Sequence, residues 1–335
     1  MTGLQTRRSI QNRFQWLLRR EIWEHQGMMV WLPLAIAALL VGFSAIAIVK
    51  GQGATFTFGG PVHEVSSLSV QMGERQKEII AALLAAVFPL MAAPLYLTLA
   101  FMVFAYAMGA LYNERRDRSI LFWKSLPVSD AATVLSKAAM ALLVIPFGML
   151  ALAVATSLVI LLMAVAVFAL HGTNVLPHLL HSPVFWLTPL KLLSLLPVYA
   201  LWALPTVGWL LMVSSWARSK PFVWAVAAPL LAMAILAWAN AGFGLGLDLQ
   251  WIFKTLLSRL LASVMPGAWF ADDTLRGTVE RTGHAVSQSH PGAVFDAIYT
   301  QSWAVFGTAN LWIGALAGAA MIAVAIYVRR RREGE

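Results

Sequence analysis

The histidines are the first candidates for chemistry. His178 and His181 are three apart, which places two imidazoles on one face of a helix at a spacing a metal ion can use. Pro177 and Pro183 bracket them and no carboxylate is near in sequence, so no metal site is expected there. His284 and His290 lie six apart in a polar stretch, and His25 stands beside Arg19 and Arg20. The chain has no cysteine, which removes disulfides, thiolate ligands and thiol nucleophiles. It has no G-x-x-x-x-G-K-[ST] run, no G-x-G-x-x-G after a strand and no H-E-x-x-H. No catalytic residue and no metal ligand is therefore assigned. What remains is contact chemistry, concentrated in one stretch. Glu114, Arg115, Arg116, Asp117 and Arg118 are followed by Ile120, Leu121, Phe122, Trp123 and Leu126, and Pro127 stops any helix. Ser129 or Asp130 is placed to cap the helix after it. Exposed aromatics on a short helix need a cover, from lipid, from the rest of the chain or from a partner protein. The charges alone read equally well as a solvated loop.

The elements that position these residues can be read from composition. Of 335 residues, 60% are hydrophobic and 12% charged. A soluble domain carries about 25% charged residues, so this ratio excludes an ordinary soluble enzyme and a disordered chain. A spanning helix needs about 20 apolar residues to cross about 30 Å of hydrocarbon. Six stretches qualify: 29–49, 80–111, 138–170, 192–213, 222–240 and 303–328. None of them contains Asp, Glu, Lys, Arg or His. The third is long enough that it must either project beyond the bilayer or kink at Pro146. An all-α polytopic membrane protein with six spans is expected, flanked by a surface segment (1–28) and a basic tail (329–335).

The basic residues set the orientation. Sixteen of the 24 lysines and arginines fall on one side: the N-terminal segment, the loops after spans two and four, and the tail. Four of the other eight lie in one long loop, which translocates whatever its charge. Both termini are expected in the cytoplasm. The net charge of +9 is then a matter of topology, and no nucleic-acid partner is called for. Ala45-Ile46-Ala47 mimics a signal-peptidase site. The polar lead up to residue 28 and the length of the apolar run argue that the span is retained.

Three segments between the spans carry pattern. Residues 6–27 read as a helix on the membrane surface, with Ile10, Phe14, Leu17, Leu18 and Ile22 on one arc. Arg8, Arg13, Arg19 and Arg20 lie opposite, suited to anionic lipid head groups, and Trp16 and Trp23 share the boundary. Glu21 breaks the pattern, because it lands inside the apolar arc. On the other side of the membrane, Leu249, Ile252, Phe253, Leu256, Leu257 and Leu260 form an amphipathic stripe. That helix is expected to lie on the outer leaflet or to dip in over a pore mouth. Nothing in the outer loop 50–79 reads as a site. Empty spans argue against a proton- or ion-coupled carrier, which needs intramembrane acids, bases or histidines.

This layout resembles the permease subunit of the ABC type-2 exporter family. The likeness rests on the basic helix before span one and on Glu114-Arg115-Arg116-Asp117-Arg118-Ser119-Ile120-Leu121-Phe122-Trp123-Lys124-Ser125-Leu126-Pro127 between spans two and three. The six-span order and the outer helix between spans five and six complete it. At motif level it covers only residues 6–30 and 112–137. The resemblance implies a bacterial inner-membrane permease that pairs with a second copy or a sister permease, with two separate ATPase subunits carrying ATP and Mg. It implies that residues 113–126 form the coupling helix that docks on the ATPase, through Glu114 and the arginines after it and through Ile120, Phe122 and Trp123. Residues 6–27 would be the elbow helix framing that contact. The competing expectation is a membrane scaffold or envelope assembly factor whose region 241–302 docks other proteins.

Overall fold

The structure is a computed structural model. It describes residues 15–50, 73–117, 129–271 and 293–331. Among these residues there is no strand. Six helices are long and apolar enough to cross a membrane: Gly27–Val49, Glu74–Arg116, Asp130–Leu170, Pro183–Trp216, Val223–Phe243 and Ala309–Arg331, numbered spans one to six in chain order. Spans two and three overrun the apolar stretches that announce them. At 43 and 41 residues they would measure about 60 Å at about 1.5 Å per residue, twice a hydrocarbon core. Span three starts at Asp130, eight residues before its apolar stretch, and carries a wide turn, Met140–Val144, just before Pro146.

The distortions have a common cause. Wide, π-helical turns occupy Gly27–Trp31, Met140–Val144 and Val223–Ala227, and a proline comes after each with one intervening residue: Pro33, Pro146 and Pro229. In each case the amide before the proline reaches back five residues, Leu32 to Gly27, Ile145 to Met140 and Ala228 to Val223. A proline ring collides with the carbonyl four residues earlier and brings no N–H to it. Widening the turn relieves the collision. At Pro229 that carbonyl belongs to Ala225, and the Trp209 indole of span four donates to it at 2.9 Å. Span two is interrupted instead by a 3-10 turn, Phe88–Ala92, which contains Pro89.

Span four is the centre of the bundle and span six its closest neighbour. Their backbones meet where two glycines face each other. A methyl on Gly208 would overlap the Gly318 carbonyl, and one on Gly318 would lie 2.6 Å from the Leu204 carbonyl. Spans one and five bury the least of their surface within the chain. A second, smaller apolar cluster joins Ala81, Ala85 and Phe88 of span two to Leu161 and Val165 of span three and to Leu179.

Residues 15–24 are helical and run into span one without a loop. His25 N donates to the Glu21 carbonyl and Met29 N to that of His25. The expected surface helix and the first span therefore form one helical path, with the wide turn at Gly27–Trp31 as its joint. Leu18 and Ile22 pack on the bundle core, whereas Trp16 and Trp23 face outward. The apolar arc is turned to protein and the tryptophans are turned away from it.

Residues 249–261 are also helical, started by Asp248, whose side chain accepts from Trp251 N at 2.9 Å. This helix is tucked against span four. Thr206 Oγ1 donates to the Arg259 carbonyl at 2.9 Å, and Tyr199 OH to that of Val264 at 2.9 Å. The expected stripe is not all on the buried face. Leu257 is buried, Leu249, Ile252 and Leu260 are half-buried, and Phe253 and Leu256 are exposed. The wide turn Phe253–Leu257 puts an extra residue in the path and rotates the rest of the helix by about one residue's 100°.

Candidate functional site

One end of the bundle collects basic residues from four distant parts of the chain, and acids meet them there. Glu21 lies on the N-terminal helix, six residues before the joint with span one. Its Oε1 accepts from Lys137 Nζ at 2.8 Å and its Oε2 from Tyr106 OH at 2.8 Å. The His25 ring stands edge-on to Tyr106, with centroids 5.3 Å apart. Glu114, near the end of span two, takes Lys137 at 3.1 Å, Arg20 at 3.3 Å and Arg329 Nη1 at 2.9 Å. Arg329, at the end of span six, also donates from Nε to Asp130 Oδ1 at 2.9 Å. Glu21, Glu114 and Lys137 are almost fully buried, with side chains 2–3% exposed.

The local sequence explains why these groups sit there. Glu114, Lys137 and Arg329 each lie within three residues of an apolar run, so the helix continues while these side chains leave the hydrocarbon. Asp130 opens span three after Ser129, whose hydroxyl accepts from Ala132 N at 3.2 Å. An isolated ion buried in a low-dielectric medium is strongly destabilised, and pairing with further hydrogen bonds offsets that. Among the described residues Glu21, Glu114 and Asp130 meet Lys137 and Arg329, and Arg20 is shared between Glu114 and the exposed Glu24.

The charged run after span two divides in two. Glu114 points inward. Arg115 also turns to the protein, donating to the carbonyls of Ser214 and Ala217 at the end of span four, the latter at 3.0 Å. Ser214 Oγ returns the contact by accepting from Leu111 N and Tyr112 N. Arg116 and Asp117 are exposed, at 65% and 59%. Glu114 and Arg115, expected to face a partner, are thus bound by this chain itself. A charge flanking four packed helix ends pairs across them before it meets solvent. Arg118, Ile120, Phe122, Trp123 and Leu126 lie outside the described residues, as do Arg13 and Phe14. Of the remaining N-terminal positions, Leu17 and Arg20 are half-buried, and Trp16, Arg19 and Trp23 are exposed.

The histidine pair also differs from expectation in its surroundings. Glu74 opens span two, 104 positions away in sequence, and its Oε2 lies 3.1 Å from His178 Nε2. Glu78, His178, His181 and Ser182 line one open hollow. The His181 ring nitrogen Nδ1 contacts the Pro177 carbonyl at 2.7 Å. A carboxylate is therefore near in space. Among the described residues, however, no group of three or more His, Asp or Glu is arranged to hold a metal ion.

Sequence reasoning passed over Lys137, Asp130, Tyr106 and Arg329 as site residues, and over Arg259 within the helix 249–261. Glu21 was signalled by its place in an apolar arc, and Lys137 and Arg329 by their positions at the ends of apolar runs. Arg259 is 7% exposed. Its guanidinium lies 3.7 Å over the Trp202 ring and donates to the Asn310 carbonyl at 3.2 Å. Gly314 makes room for it, because a methyl there would overlap Nη2.

Fold and site together define a multi-pass, all-helical membrane protein with a buried ion network at one end of its bundle. No family model matches the chain, and neither a curated protein nor a solved structure does.

Proposed function

We propose that the chain is the permease subunit of an ATP-driven ABC exporter of the type-2 kind. It would work in a bacterial inner membrane with both termini cytoplasmic. It would pair with a second copy or a sister permease and take its energy from separate ATPase subunits, which hold the ATP and Mg. The observation that carries the reading is the segment between spans two and three. Its sequence runs from charge into bulky aromatics, and the described residues that flank it, Glu114 and Asp130, are bound into the ion network. A docking element that receives force needs such an anchored base. The spans hold no acid, base or histidine within 80–111, 138–170, 192–213, 222–240 or 303–328, which suits an external energy source.

On this reading, residues 113–126 dock on the ATPase. Arg116 and Asp117 meet it electrostatically, and Ile120, Phe122 and Trp123 anchor apolar contacts. Glu114 and Arg115 hold the segment to the bundle. The N-terminal helix frames the contact, with Trp16 and Trp23 at the lipid surface. Closure of the ATPase pair moves the two segments, and the spans change the access of a cavity between two permeases. The helix 249–261 covers the outer end.

The test is co-purification of a P-loop ATPase with the intact chain and with a Phe122→Ala/Trp123→Ala variant. Binding is expected with the former and lost with the latter. Equal binding by both removes the assignment of the segment. Transport into inverted vesicles is expected to require ATP and to survive an uncoupler; its loss with ATP intact would indicate a secondary carrier.

A further inference from the structure

One guanidinium joins the two helix ends that flank the segment the proposed function makes the docking element. Arg329 Nη1 donates to Glu114 Oε2 and Nε to Asp130 Oδ1, each at 2.9 Å. Glu114 lies two residues before the end of span two, and Asp130 is the first residue of span three. Arg329 belongs to neither of those helices. It ends span six, which touches span four backbone to backbone at Gly208 and Gly318. Arg115 binds the end of span four directly. The segment's base is therefore fixed to the closest-packed helix pair in the molecule.

From this geometry, and resting on the permease reading, we infer that Arg329 is a positioning residue that passes displacement of the 113–126 segment to span six and, through it, to span four. Were the two ends tied only to each other, a push on the segment would flex the loop. Tied to a third helix, it moves that helix. The guanidinium suits the task because its donors diverge in one plane at fixed angles and reach two carboxylates at once. A lysine carries the same charge on a single nitrogen at a flexible tip and does not hold both ends in register.

The chain lacks cysteine, so spin labels go on without background. Arg116 and Arg330 are exposed and lie on spans two and six; Leu135, also exposed, lies on span three. Labels at 116/330 and at 135/330 in the full chain in lipid nanodiscs report both ends of the clamp. Narrow distance distributions are expected with Arg329 present, and at least a doubling of their width in Arg329→Gln and Arg329→Lys. Unchanged widths in both variants overturn the inference. Arg329→Lys keeps the test open if the Gln variant fails to fold.

In the assembled transporter, Arg329→Lys is expected to bind the ATPase with unchanged half-saturation. Substrate moved per ATP hydrolysed should fall about tenfold, within the usual range for coupling between sites. A residue that only stabilises the fold would lower the amount of complex, the hydrolysis and the transport together and leave that ratio unchanged; such a result also overturns the inference. If no ATPase associates with the unaltered chain, the permease reading fails, and the label distances still decide the clamp.

Discussion

Cations are buried at both ends of this bundle, in different ways. At one end Lys137 and Arg329 meet the carboxylates of Glu21, Glu114 and Asp130, and the contacts tie the N-terminal helix to spans two, three and six. Toward the other end Arg259 lies flat over Trp202, in space that Gly314 leaves open between the helix 249–261, span four and span six. The first arrangement depends on charge balance across several helices. The second depends on shape at one crossing. The difference teaches where each end is sensitive: the network fails when one charge is removed, and the crossing fails when one atom is added.

The largest expected effect comes from unbalancing the network. Lys137→Met leaves Glu21 and Glu114 facing each other without the ammonium between them. A loss of about 3–5 kcal/mol is expected, the usual cost of breaking a buried ion pair from one side. Unfolding of the lipid-micelle-embedded chain by added SDS measures it. Adding Glu21→Gln to that variant is expected to restore part of the loss, since it neutralises one stranded carboxylate. If the double variant is less stable than the single one, the charge-balance account is wrong.

The crossing of spans four and six gives the next effect. Gly318→Ala adds a methyl 2.6 Å from the Leu204 carbonyl. Overpacking costs about 1–3 kcal/mol, and the better helix propensity of alanine returns about 1 kcal/mol. A net loss of up to about 2 kcal/mol is expected by the same SDS titration. Gly148→Ala, where nothing lies within 4 Å, is the control and is expected to be neutral or stabilising. Equal responses at both glycines would mean that the backbones do not meet at Gly318.

The same contrast decides how much was legible in the sequence. The six spans were readable because apolar runs of span length have few other meanings. Their ends were not, because a hydropathy window stops at the first charge, whereas the helix continues until its backbone is capped. Glu21 was visible only as a fault in an amphipathic arc, and its partner Lys137 is 116 positions away. Arg329 and Glu114 are 215 apart. Nothing local tells a charge that sets topology from one that is paired inside the bundle, since both sit at the end of an apolar run. The outer stripe misled in another way. Its period assumed a uniform helix, and the wide turn at Phe253–Leu257 shifts the faces partway along. Gly314 and Gly318, four positions apart on one helix face, have the spacing of a close crossing, a signal that went unread.

Arg259 and Trp202 are expected to couple by about 1–2 kcal/mol in a double-mutant cycle of Arg259→Lys and Trp202→Leu. The lysine keeps the charge but loses the planar stack on the ring. Additive losses would mean that the 3.7 Å approach contributes nothing beyond packing.

The smallest effect separates burial from charge within one short run. Arg116 and Asp117 form a pair at 3.2 Å, two positions from Glu114, yet both are more than half exposed. Water and salt screen such a pair, and its contribution is expected to lie below about 0.5 kcal/mol. Arg116→Ala should therefore leave SDS unfolding nearly unchanged, and the little it changes should vanish in high salt. Glu114→Gln, by contrast, removes the buried carboxylate that Lys137 and Arg329 share and should cost several-fold more at every salt concentration. Comparable losses for the two variants would mean that position along the charged run, rather than depth in the bundle, decides what these residues do. Under the permease reading, Arg116→Ala should at the same time weaken association with the ATPase, because an exposed charge with no buried partner is the kind that steers a docking protein. A variant that changes association without changing stability is what the outward half of the run predicts, and the inward half predicts the reverse.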